Sequence, residues 1–220
     1  MPKTDDIGDV DMPDLDDSGD DNIIIDDYDD DLDDDLDDDF DEDLDEDLDD
    51  DLDDDDEVDD YEDASDEEID FVVALYREDG EPQATDLMLS LANDLNGLIA
   101  QLRRLPGDAG ACAFLSISDE FFVIVRVRGK VVQLLLNDSV AAGDWPIARD
   151  VVDFLGLEVA DEEDESEIVG DLTILADQGI SEFDMEAIAS DYDEESSDLV
   201  RQLVGLMKFS SQFEAAVADR

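Results

Sequence analysis

Carboxylates are the side chains of this sequence that could carry chemistry, because 73 of its 220 residues are Asp or Glu and none is His. Two carboxylates can act as general acid and base, and Asp-x-Asp spacing can bind calcium. Among so many acids, however, some pair lies at a catalytic distance in any fold. The acidic tract also has no EF-hand loop, which needs Gly at its sixth position and Glu at its twelfth. The sequence therefore indicates neither a carboxylate-dyad enzyme nor a defined calcium site.

Cysteine and glycine motifs predict no catalytic site either. Cys112 is the only cysteine, which excludes an intramolecular disulfide and an all-cysteine metal site. It lies in the apolar stretch 111–114, where cysteine usually packs as a small hydrophobic residue. Gly129-Lys130 does not end a phosphate-binding loop, because Val131 stands where Ser or Thr is required. We predict no catalytic residue, no cofactor and no metal, and therefore a protein that is not an enzyme.

A short run of basic residues stands out from the acidic background. Arg126, Arg128 and Lys130 alternate with Val and Gly in a segment typical of a strand. One interpretation is that these cations form ion pairs with nearby acids such as Asp119 or Glu120. The other is that they contact an acidic partner, or the acidic segment of this same chain.

Two aromatic residues near this run complete the predicted partner-binding set. Trp145 precedes Pro146, a favourable first residue of a helix, so it is either a core anchor or an interface hot spot. Phe122 shares a strand face with the arginines, since side chains alternate with a period of two. The sequence thus predicts partner contacts at five residues: Phe122, Arg126, Arg128, Lys130 and Trp145.

An aspartate-rich tract dominates the amino-terminal third of the chain. Residues 1–70 contain 42 acids against the single base Lys3, about −41 of the total charge of −62. Repulsion between like charges predicts a disordered, extended tail over residues 1–68. Such a polyanion could occupy a basic groove built for nucleic acid. The remaining chain carries about −21, which disfavours nucleic acid as a direct ligand of this protein.

Behind the tract, apolar periodicity predicts a single α+β core. The elements in chain order are a strand, a helix, three strands and a helix: 69–76, 86–105, 111–118, 121–128, 131–137 and 146–155. Connections of two residues between the three consecutive strands permit only antiparallel hairpins. We therefore expect an antiparallel sheet of about four strands, packed by helices.

Composition divides the whole chain into four predicted regions. They are a disordered tail, a core domain, an acidic linker and a short helical carboxy-terminal region: 1–68, 69–157, 158–168 and 169–220. The last region shows helical patterns at 172–176, 182–189 and 198–213. No apolar stretch of about 18 residues and no secretory signal is visible, so we expect a cytoplasmic protein without a membrane span.

Three segments of the predicted core resemble the signature of the actinobacterial tRNA adenosine deaminase-associated proteins. They are Phe121-Phe122-Val123-x-Val125-Arg126-Val127-Arg128-Gly129, Val132-x-Leu134-Leu135-Leu136-x-Asp138 and Ala141-Ala142-x-Asp144-Trp145-Pro146. The resemblance implies association with a tRNA adenosine deaminase and carries over no catalytic residue. A zinc nucleobase deaminase needs His-x-Glu and Pro-Cys-x-x-Cys motifs, and neither occurs here.

The leading hypothesis is a non-enzymatic accessory protein that binds or modulates a tRNA adenosine deaminase in tRNA editing. The α+β core would supply the docking surface. The alternative is an acidic-tailed solubility or chaperone-like module with no fixed enzyme partner. An enzyme that uses only carboxylates ranks third.

Overall fold

A six-stranded antiparallel sheet forms the centre of the part of the chain that the structure describes. The computed structural model describes residues 62–107, 109–160 and 163–218. The strand order is β2-β1-β3-β4-β5-β6. The strands are β1 Ile69–Glu78, β2 Glu81–Asp86, β3 Ala111–Ile117, β4 Phe121–Arg128, β5 Val131–Leu136 and β6 Val169–Gly170.

The central strands form the two hairpins that the sequence predicts. β3 pairs with β4, and β4 with β5, both in antiparallel register. The β4–β5 turn contains Gly129 at φ +60°, a left-handed conformation that glycine adopts without steric cost. The predicted α+β class and antiparallel pairing are thereby confirmed.

Both faces of the sheet are covered by helices, because β4 alternates apolar side chains to each side. Phe121, Val123 and Val125 pack into one core together with α1 Leu95–Leu102 and α2 Pro146–Leu155. Phe122 and Ile124 pack into the other core. The helices that bury side chains there are α3 Glu182–Ala189, α4 Ser196–Leu206 and α5 Ser210–Ala218. Seven of the eight residues of β4 are consequently buried.

The number of strands exceeds the predicted four. β2 has the sequence Glu-Pro-Gln-Ala-Thr-Asp, which lacks both an apolar run and strict alternation. It pairs only with β1 at the sheet edge, where a proline such as Pro82 is tolerated. β6 contains two residues and is defined by its pairing with Leu135 and Leu136. Neither strand is long enough, or apolar enough, to be recognised from its sequence pattern.

Two predicted helices have different limits in the structure. The first begins at Leu95 rather than near Asp86, because Asp94 caps it through a 2.7 Å hydrogen bond from the Gly97 amide. A short 3₁₀ helix, Leu89–Asn93, occupies part of the difference. The predicted helix 198–213 is interrupted at Lys208, whose φ of +66° separates α4 from α5.

Some predictions concern residues beyond this description. The predicted tail lies outside the described residues except for 62–68, and residues 161 and 162 of the predicted linker also lie outside them. No helix within the described ranges has the length and apolar character needed to cross a bilayer.

Candidate functional site

The two ends of the sheet differ in chemistry. β1 and β4 end at the side of the sheet where β3 and β5 begin, and we call this side the basic end. Seven cations lie there: Arg77, Arg103, Arg104, Arg126, Arg128, Lys130 and Lys208. The β3–β4 turn and the last residues of β5 lie at the opposite end, about 25 Å away along an eight-residue strand. There the surface opens into a depression that we call the acidic cleft.

The acidic cleft has a volume of about 480 Å³. Its walls come from the β3–β4 turn, the segment after β5 and the segment before α4. The lining residues are Asp119, Glu120, Phe121, Asp138, Val140, Ala141, Asp144, Trp145, Ser166, Tyr192, Asp193, Glu194 and Glu195. Seven of these are carboxylates, and none is Lys or Arg. The cleft therefore presents a concentrated negative charge around aromatic side chains.

The turn that carries Asp119 and Glu120 is held in an unusual conformation. Ser118 and Asp119 both have φ +55°, a region that non-glycine residues rarely occupy. The Ser118 amide donates to the Glu68 carbonyl at 2.6 Å, and the Asp119 amide donates to the Asp70 carboxylate at 2.8 Å. The Asp119 carbonyl in turn accepts from the Ser196 amide at 3.0 Å. These hydrogen bonds hold the backbone of the turn in place, and the backbone in turn positions the side chains of Asp119 and Glu120.

Aromatic rings form the apolar part of the acidic cleft. Trp145 is half-buried and packs at 6.0 Å between ring centroids on Phe121, which is itself buried. Tyr192 is 46% exposed, and its hydroxyl donates to the carbonyl of Ser166 at 3.1 Å or of Asn137 at 3.2 Å. Burial, with a smaller effect of nearby acids, raises the pKa of Tyr192, so its hydroxyl remains a neutral donor.

The arrangement suits recognition of cations borne by another protein. Carboxylates attract Lys and Arg, and the half-buried indole of Trp145 is suited to a cation–π contact with a guanidinium group. Among the described residues, no group of three or more Cys, Asp or Glu side chains is arranged to hold a metal ion. Cys112 is buried, and burial raises its pKa to about 12, so it stays a thiol.

The five residues predicted from the sequence do not form one surface. Phe122 is 0% exposed, and its amide donates to Asn137 Oδ1 at 2.6 Å. The expectation that its ring contacts a partner does not fit this burial, because both faces of β4 are covered. Trp145 lies in the acidic cleft, whereas Arg126, Arg128 and Lys130 lie at the basic end.

The three predicted cations differ in exposure. Arg126 is 4% exposed, and its guanidinium donates to the Asp177 carboxylate at 2.5 and 2.6 Å and to the Ile174 carbonyl at 2.6 Å. Hydrogen bonding to Arg126 lowers the pKa of Asp177. Arg128 lies 3.6 Å from the same carboxylate and, like Lys130, is exposed. The ion pairing expected from the sequence is thus present at Arg126 and Arg128, but the acid is Asp177. Asp119 and Glu120, the acids named from the sequence, lie at the other end of the strand.

Sequence reasoning missed the acidic cleft. Its acids come from three segments far apart in the chain: 119–120, 138–144 and 193–195. The run Tyr192-Asp193-Glu194-Glu195 was a signal, since it joins an aromatic residue to three acids. In a chain with so many carboxylates, however, that run does not stand out without the fold.

Comparison with known proteins identifies the relatives of this chain. Residues 70–210 match the Rv3753c-like tRNA adenosine deaminase-associated protein family, a range that includes all six strands apart from the first residue of β1. Protein Rv3753c of Mycobacterium tuberculosis is 32% identical over 160 residues, which cover 71% of this chain and 92% of that protein. No solved structure matches. As the resemblance predicted, the chain belongs to the Rv3753c-like tRNA adenosine deaminase-associated protein family.

Proposed function

We propose that this protein is a non-enzymatic accessory protein that binds a tRNA adenosine deaminase through its acidic cleft. The observation that carries the proposal is the cleft itself, where seven carboxylates and three aromatic residues converge without a single basic side chain. The name of the family supports association with that enzyme.

Charge complementarity supports the choice of this surface. An enzyme that acts on tRNA presents basic residues to the phosphate backbone. A cleft lined with carboxylates attracts such a surface, increases the rate of encounter and orients the complex. Trp145 supplies the large, half-buried aromatic group that typically contributes most to binding at the centre of an interface.

The chemistry of the chain supports an accessory role rather than catalysis. The sequence contains no histidine, and burial holds the Cys112 thiol far from its nucleophilic thiolate form. The zinc-binding motifs of a nucleobase deaminase do not occur in the sequence. We propose that the protein accompanies the deaminase in the cytoplasm and influences tRNA modification through binding alone.

Isothermal titration of the full chain with the tRNA adenosine deaminase of the same organism tests the proposal. Exchanging Asp193→Asn, Glu194→Gln and Glu195→Gln removes three exposed charges of the cleft. We expect affinity to fall about tenfold, since each charge contributes about 0.5 kcal/mol. The matched control exchanges three exposed acids of α2 and α3, Asp153→Asn, Glu182→Gln and Glu186→Gln, and should leave affinity unchanged.

Two outcomes would overturn this proposal. If micromolar concentrations of both proteins show no association, the deaminase is not the partner. If the cleft variant and the control variant lose affinity equally, the acidic cleft is not the binding site. Deleting residues 1–61 separates the proposal from the solubility-module alternative, because a docking protein retains its partner and a polyanionic module does not.

A further inference from the structure

The basic end concentrates the cations of the described part of the chain. Of the nine Lys and Arg residues that the structure describes, seven lie there, and Arg149 and Arg201 lie elsewhere. Four of the seven are exposed and form no ion pair with any residue that the structure describes: Arg103, Arg104, Lys130 and Lys208. Their charge is therefore available to a ligand.

One group of these cations is gathered around Arg77. The Arg77 guanidinium donates to the Met207 carbonyl at 3.4 Å, which places it beside Lys208, and it lies 4.7 Å above the Phe209 ring. Gly107, in the loop that follows Arg103 and Arg104, lies so close that an added Cβ would come within 2.8 Å of the Arg77 carbonyl. These neighbours orient Arg77 but carry no charge that could offset it.

The same loop also lies against the end of β4. The Arg126 guanidinium donates to the Ala109 carbonyl at 3.4 Å. A Cβ added to Gly110 would come within 3.0 Å of the Arg128 Cβ. The loop between α1 and β3 thus connects the cations of β1 with those of β4 in one continuous surface.

Two hairpin turns mark the width of this surface. The β1–β2 turn carries the acids Glu78, Asp79 and Glu81, and the β4–β5 turn carries Arg128 and Lys130. Three strand spacings separate the two turns, which amounts to about 14 Å. Salt screens charges over roughly 8 Å, so the acids of the first turn offset little of the positive charge at the second.

The spread of the cations suits the backbone of a nucleic acid. A duplex strand carries one phosphate per roughly 3.4 Å of helix axis, so about four phosphates span the distance between the two turns. Five of the seven cations are arginines, whose planar guanidinium groups bind phosphates with paired hydrogen bonds and stack on exposed bases. The surface therefore fits an extended polyphosphate better than one small anion.

Its position favours RNA over an acidic protein. The acidic cleft, where we place the deaminase, lies at the opposite end of the sheet, so both surfaces can be occupied at once. The enzyme named in the family description acts on tRNA, which is itself a polyphosphate. An accessory protein that contacts both would raise the local concentration of substrate at the enzyme.

We propose that the basic end binds RNA through its phosphate backbone. The net charge of the chain disfavours such a ligand, but screening makes the charges within about 8 Å decisive, and at this end exposed cations predominate. RNA binding at the basic end does not depend on the acidic cleft, whereas a bridge between enzyme and tRNA rests on the proposed function.

Fluorescence anisotropy of a labelled tRNA transcript, titrated with the full chain in the absence of deaminase, tests the proposal. Between about 50 and 200 mM NaCl, we expect the logarithm of the association constant to fall linearly with the logarithm of salt concentration. About four phosphate contacts give a slope of roughly −3 to −4. A polyglutamate peptide of similar total charge is measured in parallel.

A pair of variants makes the test specific to this surface. Exchanging Arg104→Gln and Arg128→Gln removes two exposed cations of the basic end. We expect affinity for the tRNA transcript at about 50 mM NaCl to fall at least tenfold, and the salt slope to become shallower by about 2. The control, Arg149→Gln with Arg201→Gln, should leave both unchanged, and circular dichroism checks the fold of each variant.

Three results would overturn the proposal. The first is no binding of tRNA at concentrations up to roughly 100 µM in about 50 mM NaCl. The second is an equal loss of affinity in the variant and the control. The third is tighter binding of polyglutamate than of tRNA, which would assign the surface to an acidic protein. Because no deaminase is present, none of these results bears on the proposed contact at the acidic cleft.

Discussion

The two ends of one sheet carry opposite charges and hold them in different ways. At the basic end, Arg126 is buried and bonded to Asp177 and to the Ile174 carbonyl. In the acidic cleft, Asp193, Glu194 and Glu195 are exposed and meet no cation among the lining residues. A buried, paired charge supports the fold because removing one partner leaves the other uncompensated, whereas clustered like charges without a counter-ion reduce stability.

The difference predicts opposite effects of removing charge at the two ends. The largest effect should follow Arg126→Met, which leaves the Ile174 carbonyl and the Asp177 carboxylate without their donor. We expect the free energy of unfolding to fall by about 2–3 kcal/mol, measured by urea denaturation. Lys130→Met, at an exposed cation that pairs with no acid in the described part of the chain, should change it by less than about 0.5 kcal/mol.

Acid titration provides a second measurement on the same variant. Because Arg126 lowers the pKa of Asp177 in the folded state, the pair's contribution is complete above the ordinary value of 3.8 and is lost as pH falls through the lowered pKa. The wild-type protein should therefore lose this contribution in acid, and Arg126→Met should not. Identical acid profiles would contradict the assignment of the pair as a requirement of the fold.

A smaller effect of opposite sign should follow neutralisation of the acidic cleft. Exchanging Asp193→Asn, Glu194→Gln and Glu195→Gln relieves repulsion between exposed carboxylates. We expect a gain on the order of 1 kcal/mol, seen as a rise of about 2–4 °C in melting temperature. The gain should vanish in 1 M NaCl. A loss of stability would mean that these acids stabilise the fold. The two ends of the sheet would then not differ in how their charges affect stability.

The smallest effect should come from Arg128→Gln. The Arg128 guanidinium lies 3.6 Å from a half-exposed Asp177, so water and salt weaken the attraction. We expect a change in unfolding free energy of less than about 0.5 kcal/mol. A measured loss above about 1 kcal/mol would contradict this expectation. Arg128 would then stabilise the fold through Asp177, as Arg126 does.

Local patterns in the sequence predict much of this fold correctly. The β4 strand has the limits that its β-branched and aromatic run indicates, Phe121–Arg128, and its alternation places Phe121 and Phe122 in opposite cores. α2 begins at Pro146 and is followed by Gly156 in a left-handed conformation, as its terminal residues indicate. These features depend on residues within a few positions of one another.

Contacts between distant segments account for what the sequence did not predict. β2 and β6 form because β1 and β5 offer free edges, although most residues of β2 are poor strand formers and β6 has only two residues. The sequence predicted Phe122 as a partner contact, whereas in the structure α4 and α5 cover its face of the sheet. The partner of Arg126 is Asp177, 51 residues away, and no local pattern predicts such a pair.

The sequence by itself determined the family, the antiparallel hairpins and the surplus of acid, because these depend on residue types and short spacings. Only the tertiary structure decided where charge is buried, paired or exposed, since that depends on which segments the sheet brings together. The fold places most described cations at one end of the sheet and gathers acids from three distant segments at the other.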